Sequence, residues 1–121
     1  MASIQDSLNA LMTADGAVCG ALVDSASGML MGSVGVGGGV DMELAAAGNT
    51  EVVRAKIKTM RMLNLNDQID DILITLGKQY HIIRPVAAND GVFFYLVLDK
   101  ARANLALARR KTADVEKELK L

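Results

Sequence analysis

Between Ile69 and Leu107 the chain reads IDDILITLGKQYHIIRPVAANDGVFFYLVLDKARANLAL, and this stretch constrains the fold most. Three apolar runs, Ile72–Leu76, Ile82–Val86 and Val92–Leu98, follow one another, each about one strand long. Gly77-Lys78 and Ala87–Gly91 divide them with turn residues. The spacing predicts strands over Ile69–Leu76, Tyr80–Val86 and Val92–Leu98 in an antiparallel meander. The third run passes through Asp99 into an Ala- and Leu-rich pattern that predicts a helix over Lys100–Leu119. No catalytic group is apparent in this stretch, which points to a binding module rather than an enzyme.

Upstream, Ser3 is placed to cap a first helix, with Asp6 three residues on to return the bond. Ile4, Leu8, Leu11 and Met12 recur at helical spacing, and Asp15-Gly16 is a stop signal. Ala17–Val23 reads as a buried strand, Asp24–Gly28 as a turn and Met29–Val34 as the returning strand. The glycine-rich run Gly32–Gly39 lacks the Lys-Ser or Lys-Thr of a phosphate-binding P-loop. It also lacks the third glycine of a dinucleotide loop, because Val40 stands there. A mobile linker is expected instead.

Asp41 is placed to cap a long helix reaching about Leu63. Ala46, Val53, Ile57 and Met60 form one apolar stripe, extended at its ends by Met42 and Leu63. Burial on a sheet contributes ~1.5–3 kcal/mol for each large side chain. Glu51, Arg54, Lys58 and Arg61 form the opposite stripe. They are either a solvated face, with Glu51 and Arg54 paired one turn apart, or a surface for a partner. Ala45-Ala-Ala-Gly48 offers little volume, and Gly inside a helix costs about 1 kcal/mol relative to Ala. Such a patch admits a close backbone, either the sheet below or a helix from a second copy of the chain.

The order α-β-β-α-β-β-β-α follows, as a single domain over residues 1–121. Its five mostly antiparallel strands have near-continuous apolar runs, so helices are expected on both faces: the middle helix on one, the terminal helices on the other.

Composition narrows the function. A net charge of −1 supplies no field for a nucleic-acid backbone. The four aromatics, Tyr80, Phe93, Phe94 and Tyr95, all lie in the meander without interleaved cations, so they are read as packing. The one cysteine, Cys19, has no partner for a disulfide or a metal set and is read as a reduced core residue. His81, the one histidine, has no carboxylate or nucleophile beside it in sequence, so a structural role is expected. Asp70 and Asp71, adjacent on a strand, point to opposite faces and are not a carboxylate pair. No metal or cofactor is expected. No apolar run approaches the ~20 residues of a membrane span. No basic stretch followed by an apolar core opens the sequence, and a cytoplasmic protein is expected.

Several words in order, Leu8-Asn-Ala-Leu11, Gly20-Ala-Leu-Val-Asp-Ser-Ala-Ser-Gly28, Leu44-Ala-Ala-Ala-Gly-Asn49, Ile72-Leu-Ile-Thr-Leu-Gly77, Tyr80-His-Ile-Ile-Arg-Pro85 and Phe94-Tyr-Leu-Val-Leu-Asp99, span almost the whole chain. In that succession the sequence resembles the roadblock family of dynein light chains and GTPase regulators, above all its stand-alone bacterial members. The resemblance implies a profilin-like α/β sandwich. It also implies a dimer in which two middle helices lie side by side and the first meander strands join the two sheets. Here that interface would use Ala45, Ala47, Gly48, Ile69, Ile72, Ile74 and Leu76. A small Ras-like GTPase would dock on the paired helices, against Glu51, Arg54, Lys58 and Arg61. No position carries over as an inserted arginine, so positioning of the partner's own switch loops is the expected mechanism. The alternatives are a scaffold without effect on nucleotide turnover, and a small-molecule sensor with a methionine-lined cavity.

Overall fold

The structure is a computed structural model and describes residues 2–35 and 39–121. Its elements are α1 (Ile4–Leu11), β1 (Ala17–Asp24), β2 (Met29–Val34), α2 (Met42–Met62), β3 (Ile72–Thr75), β4 (Gln79–Pro85), β5 (Val92–Asp99) and α3 (Leu105–Glu118). The expected element order holds throughout. All five strands join one antiparallel sheet in the order β2-β1-β5-β4-β3.

The last strand in sequence lies at the centre of the sheet. β5 pairs with β1 on one side and β4 on the other, so both its faces and both its ladders are buried. That explains its unbroken apolar run, where a half-exposed strand would alternate. Side chains of successive residues point to opposite faces. Phe94, Leu96 and Leu98 pack with Leu8, Leu11, Leu22, Ile82 and Val115 under α1 and α3. Phe93, Tyr95 and Val97 pack with Ala21, Val23, Ile83, Ala46 and Val53 under α2. Cys19 lies in this second core, and burial pushes its thiol pKa up.

Capping sets the helix starts. The Ser3 hydroxyl accepts from the Asp6 amide at 3.1 Å, although no return bond from Asp6 is found among the described residues. Asp41 Oδ1 accepts from the amides of Glu43 and Leu44. Asn104 Oδ1 accepts from the Leu107 amide and begins α3 at Leu105, five residues later than the expected Lys100. Residues 100–104 are instead held in a turn by Asp99, whose carboxylate accepts from the Ala101 amide and the Arg102 guanidinium.

α1 closes at Leu11 rather than near Asp15. The turn that follows depends on Gly16, at φ +80°, where a Cβ would stand 2.9 Å from the Ala103 nitrogen and 3.0 Å from the Asp99 carbonyl oxygen. β3 is shorter than the expected Ile69–Leu76 and pairs only through Ile72–Thr75. Since β3 begins opposite Ile83, Pro85 lies beyond it and deprives it of no ladder donor. The linker expected over Gly32–Gly39 is only partly visible: Gly32 and Val34 belong to β2, and residues 36–38 lie outside the described residues.

Candidate interaction surface

α2 covers only part of its sheet face. Its first half packs on β1 and β2. There Ala46, Thr50 and Val53 are buried, the Thr50 hydroxyl donating to the Ala46 carbonyl oxygen at 2.7 Å. Beyond Val53 the expected buried stripe lifts away: Ile57 is 37% exposed and Leu63, at the helix end, 60%. Further across this face cover thins: Ile83 of β4 is still buried with Val53, whereas His81 of β4 and Ile72 and Ile74 of β3 are only half-buried.

This part of the face is an open groove. One wall is a flank of α2, Leu44, Ala45, Gly48 and Asn49; the floor is His81 of β4 and Tyr95 of β5. A Cβ built on Gly48 would meet nothing within 4 Å. Leu44, at 70% exposed, stands on the rim. At 3.6 residues per turn Val52 continues the same flank, and it too is exposed. Ile72 and Ile74 rise from β3 on this side of the sheet and are half-buried. β3 is an edge strand, with one ladder to β4 and none beyond.

His81 is the polar centre of the floor. Its Nε2 lies 2.9 Å from Gln79 Oε1 and its Nδ1 2.9 Å from the Tyr95 hydroxyl, with the two rings edge to face. Burial lowers its pKa. Burial likewise raises that of Tyr95, while a hydrogen bond from the Asn49 side chain pulls it partly back. The arrangement gives both His81 ring nitrogens a hydrogen-bond partner.

The other flank of α2 carries the charges. Glu51, Arg54, Lys58 and Arg61 are all exposed. Arg54 does not pair with Glu51; it turns to the β1–β2 turn and donates to the Ala26 carbonyl oxygen at 3.1 Å. Ala47 belongs to this side, its Cα 3.8 Å from the place of a Cβ on Gly28. The structure therefore brings Ala45 and Gly48 to the groove together with Ile72 and Ile74, and sets Ala47 apart from them. Ile69 and Leu76 flank the ends of β3, outside the strand.

Two features escaped the sequence. Glu116 of α3 is buried and accepts from Arg84 and from the Ala87 amide, tying the β4–β5 turn to the helix. Beside this pair lies a cavity of about 260 Å³ lined in part by Ile57, Met60, Ile69 and Asp70. It is smaller than the roughly 300–1,000 Å³ of most small-molecule sites, and Met60 is the one methionine along it. Asp71 is spent elsewhere, on Arg109. Among the described residues no group of three or more His, Cys, Asp or Glu side chains is placed to hold a metal ion. No helix among them is long and apolar enough to cross a membrane.

This arrangement, one five-stranded antiparallel sheet with a long helix on one face and two terminal helices on the other, is the roadblock/LC7 fold. Among solved structures the chain is similar to Myxococcus xanthus MglB, with a TM-score of 0.83 at 19% identity over 95% of this chain and 89% of that one. The roadblock/LC7 domain from Streptomyces avermitilis superposes with a TM-score of 0.80 at 10% identity, over 96% and 93% of the two chains. An MglB described with a tetrameric arrangement gives 0.72 at 14% identity, over 95% and 88%. No protein-family model matches the sequence, and neither does any curated protein.

Proposed function

We propose that this chain is a non-enzymatic interaction module that pairs with a second copy of itself across the groove. The pair would then bind a small Ras-like GTPase on its helix surface and modulate that partner's nucleotide cycle. The thinly covered half-face over β3 and β4 carries the pairing half of this reading. Apolar side chains at Leu44, Val52, Ile72 and Ile74, an unpaired edge strand and a glycine with free space above it ask for a covering backbone. One symmetric operation supplies both, a helix for the groove and a strand for the edge. The tetrameric arrangement reported for one similar MglB is consistent with self-assembly on this fold.

The GTPase half rests on the fold's likeness to MglB and on the exposed cations Arg54, Lys58 and Arg61. Arg54 is engaged with the hairpin turn, which favours positioning of the partner's switch loops over an inserted arginine. The test is to mix the purified chain with a candidate GTPase and follow GTP hydrolysis and nucleotide exchange. A changed rate supports the reading. Binding with both rates unchanged selects a scaffold, and no binding in either nucleotide state removes the GTPase.

A further inference from the structure

The groove floor contains the chain's single histidine, and both its ring nitrogens are committed. Gln79 Oε1 can only accept, so Nε2 carries the hydrogen. In the neutral ring Nδ1 is then bare and accepts from the Tyr95 hydroxyl. A second proton on the imidazole reverses the 2.9 Å bond: Nδ1 donates to the Tyr95 oxygen, and the hydroxyl hydrogen must swing out toward the groove, where it needs water. With the groove covered, only the neutral ring leaves that hydrogen paired.

Water still reaches that ring through the open groove. We propose that His81 makes closure of the groove pH-dependent: a twin's helix seals over the neutral imidazole and is released when the ring takes up a proton. This rests on the self-pairing described above and adds its regulation. Sealing removes the solvent that would hydrate an imidazolium, so the ring binds its proton more weakly in the pair than in the free chain.

The surroundings do little to offset this. From β5 the ring meets Tyr95 and its cross-strand partner Val97; from β3 it meets Ile74; along β4 Gln79 and Ile83 flank it on the same face. None of these is charged. From α2 comes Asp41, the one charged residue among those lining the groove, and it favours the protonated ring. Its Oδ1 is occupied by the first amides of the helix.

The sign follows from linkage. A base that binds its proton more weakly in the pair must release it on pairing. Affinity is therefore fully present above the free-chain pKa, itself already lowered from 6.5, and is lost as the pH falls through it. Two symmetry-related rings make the dissociation constant rise by up to about 100-fold per pH unit below that point.

Sedimentation equilibrium of the wild-type chain and of His81→Gln at pH 7.5 and 5.5 reads the effect. The proton signals of the one histidine ring, titrated in dilute and concentrated samples, report on the wild type even if the variant fails to fold. Expected are a wild-type pair that loosens in acid, a variant pair that does not, and a ring pKa lower in the concentrated sample. A pair equally tight at both pH values, an acid effect retained in His81→Gln, or a ring pKa indifferent to concentration overturns this inference and leaves the pairing intact. A single-subunit mass at every pH and concentration overturns the pairing and this inference with it.

Discussion

Asp71 and Arg109 meet in a two-pronged ion pair, Nε to Oδ2 at 2.9 Å and the terminal nitrogen to Oδ1 at 2.9 Å. The carboxylate is nearly buried while half of the guanidinium side chain stays in water. The pair fastens the start of the edge strand β3 to α3. Asp71→Asn is expected to loosen that strand: amide hydrogen exchange at Ile72–Thr75 speeds up, whereas β5 amides keep the protection of the whole fold. Unchanged β3 exchange would mean the ladder to β4 suffices.

Glu116→Ala strips the partner from the partly buried Arg84 and from the Ala87 amide. Breaking a fully buried pair from one side costs about 3–5 kcal/mol, and the water that reaches Arg84 and Ala87 puts this loss at or below about 3 kcal/mol. Chemical denaturation is expected to show a midpoint lowered accordingly with the slope unchanged. Glu116→Gln, which still accepts one bond, is expected to fall in between.

Gly16→Ala puts a Cβ into the Ala103 backbone and into a left-handed conformation that costs roughly 1–2 kcal/mol by itself. With the clash, a loss of at least about 2 kcal/mol is expected in thermal or urea unfolding. A variant as stable as the parent would show that the α1–β1 turn relaxes without strain.

Pairing through the groove distinguishes the two flanks of α2. Gly48→Arg, where space is open, and Ile74→Asp, on the edge strand, are both expected to give folded single subunits in light scattering at micromolar concentration. Ala47→Arg, on the hairpin flank, is expected to leave the pair intact. Pairs surviving both groove substitutions would locate the contact elsewhere.

Charge reversal on the outer flank addresses the GTPase. Lys58→Glu and Arg61→Glu are each expected to weaken its association by about tenfold, mainly through a slower on-rate that salt mimics in the parent. Equal affinity for both variants would move the docking surface off this flank.

Much of this architecture was legible in the sequence, because it is written in local signals. The three runs of the meander, the caps at Ser3 and Asp41 and the Asp24–Gly28 turn depend on neighbours a few residues apart. Boundaries were harder where tertiary bonds overrode local pattern. The Ala-rich run after Asp99 looks helical from Lys100, yet Asp99 ties it into a turn and Asn104 starts the helix. Ala45 and Ala47 are the same residue type two places apart, and only the helix phase against the sheet separates groove from hairpin. The Arg84–Glu116 and Asp71–Arg109 pairs join residues 32 and 38 positions apart, and nothing in the local sequence marks either partner for the other.

The position of β5 also has a consequence for how the chain is made. The hairpin of β1 and β2 and that of β3 and β4 share no ladder until residues 92–99 slide between them. A nascent chain leaving the ribosome therefore holds two half-sheets with bare inner edges until its last strand emerges. Any product cut short before Asp99 carries those sticky edges permanently, which makes truncation here far more damaging than its length suggests.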